Sequence, residues 1–169
     1  SFIDCMIRLE EEHHFGADDI ASAECRIESR CYPIVCTPRE VKTRPNTDYI
    51  MRFSLPYVVA MAAAKQKVGP AEIDLKYAED TKMQALMDKI QCVEDDSKRN
   101  PGFFPGYLTV TLNDGRTFTA DQRYEMGTPQ NPLSMEAVDK KCRANLEAFY
   151  TDAQIAQILQ QISGFETLK

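Results

Sequence analysis

Tyr107-Leu-Thr-Val-Thr-Leu-Asn-Asp-Gly-Arg-Thr-Phe-Thr-Ala120 is the stretch that decides the fold. Leu108, Val110 and Leu112 alternate with Tyr107, Thr109 and Thr111. Such a period of two belongs to a strand with one buried face. Asn113-Asp114-Gly115 then turns the chain, and Arg116 to Ala120 returns it. Gly115 suits the left-handed position of a three-residue hairpin loop. Upstream, Ala21, Ala23, Cys25, Ile27 and Ser29 alternate with Ser22, Glu24, Arg26, Glu28 and Arg30, which predicts another strand. A short strand is expected near Gln91 to Glu94.

The intervening segments carry helical spacing. Phe2, Ile3, Met6, Ile7 and Leu9 form one stripe, and Gly16 is placed to end it. Cys31 to Pro45 holds Pro33, Pro38 and Pro45 and reads as an extended connection. Thr47 or Asp48 is a cap for a helix running through Tyr57 to about Lys65. Pro56 marks its real first turn or kinks it, and Gly69-Pro70 stops it. Thr81 and Gln84 fit a capping box, with Met83, Leu86, Met87 and Ile90 on one face. Residues 1–126 therefore predict an α+β domain, an antiparallel sheet with helices on one face. Residues 127–169 predict a connector and a C-terminal helical hairpin. Ser134 caps the first helix, with Val138, Cys142, Leu146 and Phe149 in line. Thr151 and Gln154 box the second, with Ile155, Ile158, Leu159 and Ile162 in line and Gly164 to end it. That isoleucine stripe needs a partner surface.

The 169 residues are 43% hydrophobic and 27% charged, with a formal net charge of −6. This is a soluble globular balance. An acidic chain repels nucleic acid and anionic lipid at long range, and no apolar run reaches bilayer length, so neither nucleic acid nor membrane is an expected partner. The six cysteines form no C-x-x-C pair, and no signal peptide is visible. Reduced thiols in a cytoplasmic or organelle-matrix protein are expected. The chain starts at Ser1 directly in a helical pattern, as a fragment or processed product would.

Few residues suggest chemistry. His13 and His14 are adjacent, about 100° apart on a helix, so they cannot easily grip one metal, and no metal site is expected. There is no Gly-rich phosphate loop and no nucleophile elbow. The runs Glu10-Glu11-Glu12 and Glu94-Asp95-Asp96 read as solvated edges. Arg26, Arg30, Arg39, Lys42, Arg44 and Arg52 cluster around the Pro-rich connection, where guanidinium groups suit bidentate carboxylate recognition or simply balance nearby acids. Tyr32, at the end of the first strand, packs or presents its hydroxyl to a cleft. No complete catalytic constellation is present.

Four stretches, in order and covering nearly the whole chain, resemble the MmgE/PrpD family. Arg52-Phe-Ser-Leu-Pro-Tyr-Val-Val-Ala60 resembles its F-S-L-P-Y-x-V-A segment. Asp80 to Val93 resembles its D-x-x-x-x-x-L-x-x-K-V-x-V helix-to-strand unit, and Tyr107 to Phe118 its V-T-V-x-x-x-D-G-R hairpin. Gly127, Asn131-Pro-Leu-Ser134, Lys141 and Arg143 resemble its G-x-x-x-N-P-x-S…K-x-R entry to the last helices.

The resemblance implies a lid domain whose final helices rejoin a large helical domain. It implies a homodimer without metal or organic cofactor. Family members dehydrate 2-methylcitrate, decarboxylate cis-aconitate or epimerise iminodisuccinate. A small polycarboxylate is thus the implied substrate, handled by acid/base chemistry. The family's catalytic Asp and His lie mainly in the helical domain, and its Y-P-x-C-x-x-x-H-P segment has no counterpart here. Tyr32 alone matches a position where some members place an active-site tyrosine, and Arg30, Arg44 and Arg52 are the candidates for binding carboxylates. The chain by itself is expected to be inactive. The alternative is a standalone, non-catalytic α+β module that binds a ligand or protein, or a complete small enzyme built on Tyr32 and the arginines.

Overall fold

The computed structural model describes residues 1–165. Helix α1 (Phe2–His13) is followed by β1 (Ile20–Ile27). Six α-helices and a 3₁₀ turn (Pro70–Glu72) then intervene: α2 (Tyr32–Val35), α3 (Arg39–Lys42), α4 (Asp48–Arg52), α5 (Leu55–Lys65), α6 (Leu75–Ala78) and α7 (Thr81–Lys89). Strands β2 (Ile90–Glu94), β3 (Gly106–Leu112) and β4 (Thr117–Gln122) complete the sheet, and α8 (Met135–Leu146) and α9 (Asp152–Ser163) close the chain. No helix among the described residues is long and apolar enough to cross a membrane.

The expected α+β architecture is present. The sheet has the order β2-β1-β3-β4, and β1, β3 and β4 pair antiparallel. β2 departs from the expectation by pairing parallel to β1, with Ala23 opposite Ile90 and Cys25 opposite Cys92. A parallel neighbour requires a long crossover, and the helices from α2 to α7 supply it. Strand direction leaves no mark on residue alternation, so the hydrophobic pattern could not reveal it.

β3 follows its pattern: Leu108, Val110 and Leu112 are buried against the helices. On the other face the hydroxyls of Thr109 and Thr119 pair across the hairpin, as do those of Thr111 and Thr117. Gly115 takes the left-handed position at φ +88°. At the start of β3, the backbone of Ser1 and Phe2 passes so close to Gly106 that an added Cβ would sit 3.0 Å from the Phe2 nitrogen. β1 is less regular. A bulge between Ile20 and Ser22 turns Ile20 inward and leaves Ala21 exposed, then Ala23, Cys25 and Ile27 resume the buried face.

The core is built around α5. Leu55, Pro56, Tyr57, Val59, Ala60, Met61, Ala62 and Ala63 are all buried, leaving almost no wet face. A helix apolar all round has to be enclosed, and α1, α7 and β2 enclose it. The alanines let these neighbours approach closely. Tyr57 is fully buried, and its hydroxyl donates to the Glu72 carbonyl at 2.6 Å.

Local signals were displaced by a few residues. α1 ends on His14, which adopts the left-handed conformation at φ 53°, and Gly16 does not serve as its cap. The expected long helix is two: Thr47 caps α4, then Ser54 caps α5 with Pro56 in the first turn. Cys31 to Pro45 holds the short helical turns α2 and α3 in place of an extended connection. Pro33 sits in the first turn of α2 and Pro38 precedes α3, positions where a missing N–H costs nothing. Asp80, one residue before Thr81, caps α7, and Gln84 donates to the Ala78 carbonyl.

The hairpin forms as read, with Ser134 capping α8 and the Thr151–Gln154 box capping α9. Its apolar stripe is only partly covered. Ile155 is 1% exposed, Ile158 and Leu159 are half-buried, and Ile162 is 57% exposed. Met135, Val138 and Phe149 are also exposed. Neither helix contributes a residue to the main core cluster.

The two charge runs are mostly the solvated edges expected, with Glu11, Glu12, Glu94 and Asp96 exposed, but Glu10 and Asp95 depart from it. Glu10 is 2% exposed, because it falls four residues after Met6 on the stripe of Phe2, Cys5, Met6 and Leu9. Among the described residues neither of its carboxylate oxygens has a hydrogen-bond partner. Burial pushes its pKa up from 4.5 to about 8, with Gln66 pulling weakly the other way. In the second run, Asp95 pairs with Arg26 at 3.2 Å, and Asp96 accepts a bond from the Ser29 backbone at 2.9 Å.

Glu10 makes stability depend on pH. Between about pH 4.5 and 8 the folded chain keeps a proton that the unfolded chain has released, so stability falls as pH rises through that window. Glu10→Gln removes this slope and should stabilise the chain by roughly 2–4 kcal/mol at pH 7.5, with little gain at pH 4.5. Urea unfolding at both pH values measures it. Equal effects of the substitution at the two pH values contradict a buried, proton-holding Glu10.

Candidate functional site

Two of the four residues singled out in sequence, Arg30 and Tyr32, lie where β1 gives way to α2. After Ile27 the chain turns through Glu28, Ser29 and Arg30 into α2, and Tyr32 is the first residue of that helix. The Tyr32 backbone donates to the Glu28 carbonyl at 3.0 Å. Its side chain is half-buried against the core, and its hydroxyl makes no hydrogen bond among the described residues. Beside this turn is a cavity of about 270 Å³, lined by Phe2, Ile27, Glu28, Ile34, Phe53 and Phe104 among others. Among the described residues Glu28 is its one charged lining residue.

Glu28 is the polar centre of this end. It is 5% exposed, accepts the Asn100 backbone N–H at 3.3 Å, and forms ion pairs with Arg30 Nε at 2.6 Å and Arg99 Nε at 3.9 Å. Arg30 is fixed further: it donates to the Phe103 carbonyl and lies 4.9 Å over the Phe104 ring. Arg30 thus holds Glu28 and Phe104, two of the cavity's lining residues, with its own charge already neutralised.

The other two arginines lie elsewhere. Arg44 forms a bidentate pair with Asp88 on α7, at 2.9 and 2.7 Å, which holds the Asp88 carboxyl below its ordinary pKa. Arg52 is exposed on α4 and reaches Asp48 one turn back at 3.8 Å. Arg30, Arg44 and Arg52 therefore face three different carboxylates, and nothing gathers them into one clamp. His13 stacks on Phe118 with ring centroids 3.8 Å apart.

Two residues at this end stood out poorly in sequence. Glu28 looked like the wet side of an alternating strand, and its burial comes from the loop at residues 99–104 folding over it. Lys42 was one of six clustered cations, yet it alone of them is buried. Its ammonium donates to the carbonyls of Ile34 and Phe53, each at 2.7 Å, and burial lowers its pKa. Ser54 completes the junction: its hydroxyl donates to the Lys42 carbonyl at 2.5 Å and accepts the Tyr57 N–H at 3.1 Å. Lys42 and Ser54 thereby tie the turn carrying Tyr32 to the first turn of the central helix.

An α+β layer with an apolar notch at one end of its buried helix, followed by two helices with an uncovered apolar face, defines the class. Residues 1–164 match the MmgE/PrpD C-terminal domain, and the chain belongs to that family. No curated protein matches it.

The junction has a measurable consequence. Ser54→Ala removes both the cap of α5 and the bond to Lys42, and should cost about 1–2 kcal/mol in urea unfolding. Arg52→Ala, which loses only an exposed pair, should stay within about 0.5 kcal/mol of the parent. Equal costs for the two would show that Ser54 does not anchor this end.

Proposed function

We propose that this chain is the lid and closing helices of an MmgE/PrpD-type lyase or isomerase acting on a small polycarboxylate. In this reading residues 1–126 form the lid. Residues 127–169 connect it to, and pack on, a helical domain lying upstream in the full protein. The observation that supports this most is the hairpin: Met135, Val138, Phe149 and Ile162 stay exposed along helices whose caps are complete. Well-capped helices with an uncovered apolar stripe are parts awaiting a protein surface.

Dehydration, decarboxylation and epimerisation of such acids share one difficulty, the negative charge that builds up beside a carboxylate. Positioned acids and cations stabilise it. Tyr32 is our candidate donor: its chain neighbour Cys31 lines the cavity, and its hydroxyl makes no hydrogen bond among the described residues. Arg30, Arg44 and Arg52 are candidates for holding substrate carboxylates, each by exchanging an internal acid for one on the substrate. Arg52, with the longest pair, exchanges most readily. The reading needs no metal or organic cofactor, and it includes a homodimer in the cytoplasm or an organelle matrix.

The test compares two chains. The 169-residue protein should not turn over 2-methylcitrate, cis-aconitate or iminodisuccinate, whereas a chain extended through the upstream helical region should turn over one of them. Full turnover by the shorter chain contradicts the reading. In the longer chain, Tyr32→Phe should lower kcat/KM by about 100-fold or more, the range typical of a lost acid/base group. An unchanged kcat/KM rules Tyr32 out.

A further inference from the structure

A second cavity, of about 1000 Å³, opens at the far end of α5 from the notch beside Glu28. Its walls are the last turn of α5, the turn at Gly16 to Asp19, and α6 with the start of α7. Glu10 of α1 lines it too, 2% exposed, with neither carboxylate oxygen partnered among the described residues. Buried polar groups are almost always hydrogen-bonded, so an unpartnered carboxyl in a cavity wall calls for a physical reason. A ligand that completes its bonding is one, and the volume is that of an ordinary small-molecule pocket.

The surroundings select the charge of that ligand. α1 and α5 both bring their C-terminal turns to this end, and the C-terminal end of a helix carries partial negative charge. The other acids of the cavity are committed or wet. Asp19 accepts the Gly16 N–H and Asp80 accepts the Met83 N–H, each at 2.9 Å, and Asp18 is exposed. None of the cavity's lysines pairs with Glu10 among the described residues. Lys65 and Lys76 lie over the Tyr77 ring at 5.4 and 4.9 Å, Lys76 also pairs with Asp74 at 3.0 Å, and Lys82 is exposed at the start of α7. Burial is what raises the Glu10 carboxyl to about 8, Gln66 opposes it, and no lysine charge contributes. Glu10 is thus the one acid here that is both sealed from water and uncommitted.

We propose that this cavity binds a small organic cation, a primary amine whose ammonium group docks on the Glu10 carboxylate. An ammonium brings three donors to the two orphaned oxygens. Met83, Leu86 and the Tyr77 ring give the alkyl part of the amine a surface to lie on. No group of three or more side chains suited to a metal ion gathers among the described residues, so an organic cation fits the lone carboxyl better than a divalent metal. Docking is coupled to a proton exchange. The free Glu10 carboxyl keeps its proton at neutral pH; the ammonium arrives with its charge, the Glu10 proton leaves to solvent, and a carboxylate–ammonium pair forms. No other bond forms or breaks.

The test titrates the full chain with 1,4-diaminobutane by isothermal calorimetry, in buffers of different ionisation enthalpy. At about pH 6.5 binding should release close to one proton per chain, and affinity should rise about 10-fold per pH unit until about pH 8, where Glu10 ionises unaided. 1,4-Butanediol and succinate, of similar length but without an ammonium, should not bind. Glu10→Gln should abolish the proton release and weaken binding by at least about 10-fold at pH 7.5. Absence of diamine binding up to about 10 mM overturns the proposal. So does binding without proton release, or equal binding of butanediol or succinate, or a Glu10→Gln chain that binds the diamine as tightly as the parent. The unsubstituted chain alone decides the first three outcomes, so the folding of the variant does not obscure them.

Discussion

The burial of α5 is the constraint from which the rest of the molecule follows. An eleven-residue helix carrying Leu, Tyr, Val, Met and a run of Ala on every side cannot face water along most of its length, and only its last turn, at Ala64 and Lys65, is exposed. It requires a sheet beneath and helices beside it, which α1, α7 and the inner faces of β1, β2 and β3 provide. Each fully buried large side chain contributes about 1.5–3 kcal/mol relative to exposure. The central helix thus outweighs any ion pair on the surface. The parallel placement of β2 is part of the same solution, since the chain has to wrap α5 before it can return to the sheet.

The two ends of that helix have different chemistry. At its start, Ser54 and Lys42 satisfy the backbone of the Tyr32 turn and its neighbours with short bonds, and an apolar notch opens beside Glu28. At its end, Gln66 closes the helix in the left-handed conformation next to the unpartnered Glu10. The cations near the notch are already engaged: Arg30 on Glu28, Lys42 on two carbonyls. A ligand at this end would therefore meet an apolar floor and the Glu28 carboxylate.

Much of this was legible in sequence, where one periodic signal decided the matter. The β3–β4 hairpin could be read down to Gly115, because alternation and turn chemistry agree over fourteen residues, 107–120. The hairpin caps Ser134 and Thr151 were readable for the same reason. Signals failed where tertiary contacts override them. Ile20 replaces Ala21 on the buried face because a bulge shifts the strand. The prolines at 33 and 38 start helical turns because α2 and α3 are held by the Lys42 junction, a contact no local pattern announces. Glu10 was hidden by its neighbours Glu11 and Glu12, although its helical phase with Met6 places it on the apolar stripe. Of the site candidates, Tyr32 and Arg30 were found at one end of the fold, while Glu28 gains its importance only from a loop about seventy residues away.

These features describe a core organised by α5 and a closing hairpin that contributes nothing to it. Amide hydrogen exchange on the whole chain tests that claim most directly. The amides of Val59 to Ala63 and of the central strands β1 and β3 should exchange only through global unfolding. Those of α8 and α9 should exchange much faster, through local opening that leaves the core intact. Protection of α8 and α9 equal to that of α5 would show that the hairpin belongs to the same cooperative unit, and would contradict the account.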